Sequence, residues 1–231
     1  MYFIDQRIQV IANQLGNLRF RDKVELNDWQ YKFGQYFRPA EADASERPWL
    51  PFDCQTMHWY AEYAGTDQFE GKFTGQNTDF HGLPGSHYWF RTTTTVPQSF
   101  AGKSVWMKIR TQIEEWDDGK NPQFLVFING EVVQGADMNH RDIWLFPNAA
   151  GGEELTIDIQ AYTGTLHREF NFLVELYVRD EEINRLYYDL LIPLQAFPRM
   201  DEDNKTRMDI QTVLNEAINL IDMRLPYSPR F

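Results

Sequence analysis

Four carboxylates and an indole fall within six consecutive residues, Glu114-Glu115-Trp116-Asp117-Asp118-Gly119. Hard carboxylate oxygens in a loop suit calcium, although the spacing departs from an EF-hand loop. Trp116 could instead stack on a sugar ring while the carboxylates accept hydrogen bonds from its hydroxyls. A solvated turn is the ordinary reading of such a run, and it is preferred here. A glycosidase needs two carboxylates straddling a bond at a set separation, a geometry that one cluster in sequence does not establish.

A second polar cluster, Asp137, Asn139, His140, Arg141 and Asp142, follows an apolar hairpin. Arg141 can pair bidentately with a carboxylate, and Asn and Asp side chains readily hold loop backbone. The preferred reading is a structural corner, with contact to a sugar as the rival. His58, His81, His87, His140 and His167 are scattered without the tight spacing that sets two imidazoles on one metal. His81 and His87 flank a glycine loop, yet ordinary polar contacts account for them best. No Gly-x-Ser-x-Gly, phosphate-binding glycine loop or Cys-His pairing signal occurs.

These residues sit in a chain of 231 residues with a net charge of −12, 42% hydrophobic and 15% aromatic. That length and composition suit one substantial core with accessory elements. The acidic surface argues against nucleic acid and anionic membranes as partners and leaves a neutral sugar compatible. Cys54 is the single cysteine, so no disulfide closes within the chain and no multi-cysteine metal site is available. The amino terminus lacks a signal-peptide core, and no stretch approaches the roughly 20 apolar residues of a membrane span. A cytoplasmic protein is therefore expected.

The elements that position the clusters can be read from periodicity. Ile4, Ile8, Ile11, Leu15 and Leu18 form the stripe of an amphipathic helix over residues 1 to about 19. From Phe20 to Gly85 aromatics are dense, prolines interrupt, and an irregular wrap with one strand near Met57 to Tyr63 is expected. Between His87 and Arg179 short alternating strands separated by turns predict an antiparallel sandwich. In it, Thr156, Asp158, Gln160 and Tyr162 lie on the water-facing phase of one strand. Phe124 to Ile128, Asn129-Gly130 and Glu131 to Val133 form a hairpin, because a type I′ turn needs positive φ at both central positions. A third strand is expected at Asp142 to Phe146. Phe170 to Val178 supplies the last strand. After Asp180, which can cap, Ile183 to Leu191 form a helical stripe that Pro193 ends or kinks. Thr206 with Asp209 resembles a capping box opening a helix through Ile221.

Tyr88-Trp89-Phe90-Arg91 leading to Val96-Pro97, then Gly102-Lys103, Phe127-Ile128-Asn129-Gly130-Glu131, Gln134-Gly135, Asp137 and Asn139-His140-Arg141 together resemble the amino-terminal domain of glycoside hydrolase family 38 α-mannosidases, of the cytosolic and vacuolar type also found in bacteria. Tyr187-Tyr188-Asp189-Leu190 is similar too, and the match is most specific over residues 87 to 190. A jelly-roll of the galactose-binding-like kind also precedes the catalytic domain in many β-galactosidase-like enzymes. The resemblance implies that catalysis belongs to a following domain in which a Gly-His-x-His-x-Asp segment helps to hold zinc. No such segment occurs in this chain, so no catalytic or metal residue is carried over.

The resulting expectation is a mainly β, jelly-roll-like sandwich with amphipathic helices at both ends. Residues 1–85 would form a helix and wrap, 86–180 the sandwich, and 181–231 a helical extension toward a catalytic domain outside the chain. Its function would be structural, within a zinc-dependent retaining α-mannosidase, with no enzyme activity and no cofactor of its own. The alternative is a free-standing carbohydrate-binding module. Expected partners are that catalytic domain, a further copy of the chain and a carbohydrate. Trp116, Asp137, Asn139, His140 and Arg141 are the candidate sugar or interface contacts.

Overall fold

The computed structural model describes residues 2–53, 58–63, 69–74, 87–111, 122–137, 139–162, 169–170 and 172–222. Along the chain these form α1 (Tyr2–Leu18), β1 (Phe20–Leu26), β2 (Asp28–Phe33), α2 (Pro39–Ala44), β3 (Leu50–Asp53), β4 (His58–Tyr63), β5 (Phe69–Thr74) and β6 (His87–Thr95). They continue with β7 (Val105–Arg110), β8 (Gln123–Ile128), β9 (Glu131–Ala136), β10 (Asp142–Phe146), β11 (Glu154–Tyr162), β12 (Glu169–Phe170), β13 (Leu173–Arg179), α3 (Glu181–Ala196) and α4 (Lys205–Asn219). A four-stranded sheet has the order β1-β13-β7-β10, a six-stranded sheet β3-β2-β6-β11-β8-β9, and a three-stranded sheet β12-β4-β5. The fold is therefore a mixed one, sandwich-like antiparallel sheets accompanied by helices.

Asn129 and Gly130 take φ of 53° and 85°, the two positive values a type I′ turn demands, and they join β8 to β9. The Asn129 carboxamide also accepts a hydrogen bond from the Thr156 amide at 2.9 Å, tying the turn to β11. The third strand of the expected run does not extend this hairpin. β10 instead pairs with β7 in the other sheet.

The stretch after Phe20, expected to be irregular, holds strands. β2 and β3 extend the six-stranded sheet, and Pro51 is tolerated because β3 is its edge strand, where a missing amide breaks no central ladder. The expected strand at Met57 to Tyr63 is present as β4, with Met57 itself outside the described residues.

Two compact units divide the chain, one formed by Met1–Asp22 with Val178–Phe231 and the other by Lys23–Tyr177. In the first, the apolar stripes of α1, α3 and α4 meet in one buried cluster containing Ile8, Leu15, Ile183, Leu190, Leu214 and Ile218. Gly16 lets α1 approach α3, since a Cβ there would lie 3.0 Å from the Tyr187 ring. Asp180 caps α3 by accepting from the Ile183 amide at 3.0 Å. Pro193 sits inside α3 and does not end it. The cap of α4 is Asn204, which accepts from the Arg207 amide at 3.2 Å, so the helix opens before the expected Thr206.

In the second unit, Phe172 is fully buried and gathers aromatic rings from four strands of the six-stranded sheet, β2, β3, β6 and β8. Its ring stacks on Phe90 at 4.2 Å and lies 5.1 Å from Trp29, 6.0 Å from Phe52 and 6.2 Å from Phe124. Trp29, Phe52 and Phe90 belong to the inward phase of their strands, so one aromatic centre joins positions far apart in sequence.

Candidate functional site

β7 alternates buried and half-buried residues, and its outward phase carries Trp106, Lys108 and Arg110. Antiparallel register sets Asp142 of β10 opposite Lys108 and Trp144 opposite Trp106. Partners across a ladder project on the same face, so two indoles and a charged pair share one surface. The indoles stack with centroids 5.9 Å apart and planes 20° apart. Trp106 donates from its ring nitrogen to the Ser104 hydroxyl at 2.9 Å, which holds its orientation. Trp144 remains 52% exposed, so its outer ring face is open to solvent. A register shift between Trp144 and Phe146 ends the regular pairing beside it.

The charged neighbours are held by their own partners. Asp142 accepts from the Tyr177 hydroxyl at 2.7 Å and pairs with Lys108 at 3.4 Å. Gln134 of β9 donates its side-chain amide to the Asp142 carbonyl at 3.2 Å. Such a surface offers a ring face with fixed donors and acceptors at its border and no nucleophile paired with a base.

The corner before β10 brings three of the candidate residues together. Asp137 Oδ1 accepts from the amides of Asn139 at 2.8 Å and His140 at 2.7 Å, and lies 3.0 Å from His140 Nδ1. Partial burial alone would raise the Asp137 carboxyl, but these donors hold it below the usual carboxylate value. The Arg141 carbonyl accepts from the Ile109 amide at 3.1 Å, so this residue ties the corner to β7 through its backbone. Trp116 and the acidic run around it lie outside the described residues.

Asp158, on the phase expected to face water, is 1% exposed. The turn through α2 covers that face of the six-stranded sheet, where Ala42 packs with Trp89 and Phe127. Arg91 Nε lies 2.5 Å from Asp158 Oδ1, and Arg91 Nη1 lies 2.6 Å from Asp43 Oδ1. Trp49 donates to Asp43 at 3.1 Å, and the Arg91 guanidinium lies 4.5 Å from the centre of a Trp49 ring. Burial opposes the Arg91 charge, yet the two carboxylates hold it protonated above its ordinary value. This is a clamp on α2 in which both carboxylates are held by the arginine, while burial still pushes the Asp158 carboxyl above its ordinary value.

Sequence reasoning missed the indole pair because nothing in the chain showed that β10 would lie against β7 and set Trp144 opposite Trp106. Phase alone places Trp106 with Lys108 and Arg110 on the outward side of β7, alternating with buried Val105, Met107 and Ile109. Among the described residues, no group of three or more His, Cys, Asp or Glu side chains is placed to hold a metal ion.

No family model matches the chain, and no curated protein matches it. Solved structures do. A putative β-galactosidase from Bacteroides fragilis is similar at 16% identity over 69% of this chain and 23% of that one, with a TM-score of 0.43. A β-glucuronidase from Ruminococcus gnavus in complex with D-glucuronic acid is similar at 10% identity over 70% of this chain and 30% of that one, with a TM-score of 0.44. A β-glucuronidase from an uncultured Clostridium is similar at 11% identity over the same shares, with a TM-score of 0.41. The chain thus spans less than a third of their lengths.

These findings correct the α-mannosidase expectation. The similar structures are of a putative β-galactosidase and of β-glucuronidases, not of a family 38 glycoside hydrolase, and no family model supports the motifs quoted for that family. The structural role inside an α-mannosidase and the zinc-dependent retaining parent enzyme are withdrawn with it. The Trp-Phe-Arg and Asn-Gly elements that carried the resemblance have local causes instead. Arg91 binds Asp158, and Asn129-Gly130 makes a turn that many hairpins share.

Proposed function

We propose that this chain is a carbohydrate-binding module without chemistry of its own, a jelly-roll-like sandwich of the galactose-binding-like kind that holds a sugar on Trp144. The observation that carries the reading is the exposed Trp144 ring stacked on Trp106 and bordered by Lys108 and Asp142. The CH face of a pyranose packs on an indole, and hydroxyls at its edge exchange hydrogen bonds with an ammonium and a carboxylate. The net charge of −12 suits a neutral ligand better than a polyanion.

Calorimetric titration of the chain with methyl α-mannoside, methyl β-galactoside and methyl β-glucuronide tests this reading. Saturable heat with a neutral glycoside is expected, and Trp144→Ala should remove the part of it that comes from the indole surface. Silence with every glycoside, or heat indifferent to Trp144→Ala, overturns it.

A further inference from the structure

A second cleft opens on the six-stranded sheet, at the ends of β6, β8 and β11. It has a volume of about 180 Å³ and is lined by His87, Gln123, Phe124, Leu125, Gln160 and Tyr162. Register explains the gathering. Tyr162 pairs with His87 on one side and Gln123 on the other, while Gln160 pairs with Leu125. Because Gln160 and Tyr162 are two residues apart on β11, both rows project on the same face.

Each polar group in the cleft carries uncommitted hydrogen-bonding capacity. The Gln160 amide nitrogen donates to the Tyr36 carbonyl at 2.8 Å, which orients the side chain and leaves its oxygen as an acceptor. Among the described residues, no side-chain hydrogen bond engages the Gln123 amide or the Tyr162 hydroxyl. The His87 and Tyr162 rings lie 5.3 Å apart and are tilted by 43°, forming an aromatic wall, and Leu125 adds an apolar surface. Burial lowers the His87 pKa from its ordinary value and so favours the neutral imidazole. The lining thus presents amide, phenol and imidazole groups with no formal charge.

We propose that this cleft is a second binding site, one that takes a single neutral sugar ring or a polyol of that size. Amides and a phenol offer both donors and acceptors to a ring of hydroxyls, while the aromatic wall meets its CH groups. Among the described residues, the lining offers no cation to an anion and no carboxylate to a cation. The volume lies below the roughly 300–1,000 Å³ of pockets for larger ligands, which favours one ring over an oligosaccharide. The site lies on a different sheet from the indole pair and stands independently of the role proposed for Trp144.

Side-chain amide NMR of the whole chain, titrated with methyl β-galactoside, methyl α-mannoside and the anionic methyl β-glucuronide, tests the assignment. Saturable shifts of the Gln123 and Gln160 amides are expected with at least one neutral glycoside. Gln123→Ala combined with Tyr162→Phe should weaken them about tenfold or more, and Trp144→Ala should leave them unchanged. Tyr162→Phe alone keeps the ring against His87, and a loss of several-fold in that variant carries the test if the double variant does not fold. The proposal is overturned if no neutral glycoside shifts these amides, if the substitutions leave the titration unaltered, or if the glucuronide binds as tightly as the neutral ligands.

Discussion

Trp144 lies over Trp106 across the β10–β7 ladder, with 5.9 Å between ring centres and 20° between planes. The lower ring is anchored to Ser104, and the upper ring is half open to solvent. Replacing Trp144 with Ala removes the exposed ring and the pair energy, about 1 kcal/mol of stability for such a contact. Thermal unfolding should register that small loss. Saccharide affinity should fall tenfold or more, and Trp144→Phe, which keeps a smaller ring face, should fall between the two.

Buried Asp158 pairs with the partly buried Arg91 at 2.5 Å. Asp158→Ala leaves the guanidinium without its buried partner and is expected to cost about 3–5 kcal/mol in urea unfolding. Arg91→Met with Asp158→Leu removes both charges and should recover most of that loss. Asp43→Ala should cost much less, because its side chain is 49% exposed and water replaces the contact.

Acid should loosen the corner before β10. The folded pKa of Asp137 is depressed by the Asn139 and His140 donors that offset its burial. Its contribution to stability is therefore complete above the unfolded value of about 3.9 and is lost as pH falls through the lower folded value. Asp137→Asn should flatten this part of the profile. Denaturant midpoints followed from about pH 5 down to about pH 2 provide the measurement, and equal slopes in both proteins would contradict it.

Gly130 isolates a backbone effect. A Cβ there meets nothing within 4 Å, but φ is 85°, so Gly130→Ala should cost about 1–2 kcal/mol through conformation alone. Gly135 in β9 lacks the positive φ, and its added Cβ would make ordinary contact at 3.9 Å with the Phe124 carbonyl. Gly135→Ala should be neutral or slightly stabilising in the same unfolding assay.

Features encoded by neighbouring residues were legible from the chain alone. Asn129-Gly130 supplied a turn because those two residues tolerate positive φ, and the stripe from Ile4 to Leu18 supplied a helix because its spacing repeats every turn. Asp180 supplied a cap for α3 by the same local logic. The corner at Asp137 to Arg141 was also readable, since Asp side chains bind amides two and three residues ahead.

Partner choice was decided only in three dimensions. Nothing local to Asp142 to Phe146 says that β10 leaves its hairpin for β7, yet that exchange sets Trp144 on Trp106. Asp158 reads as a solvent-facing residue until α2 and Arg91 close over it. His87, Gln123 and Tyr162 likewise meet only when β6 and β8 flank β11. Local periodicity determines which face a side chain takes. What lies against that face depends on burial satisfied jointly by segments distant in sequence, and that information appears only when the sheets have formed.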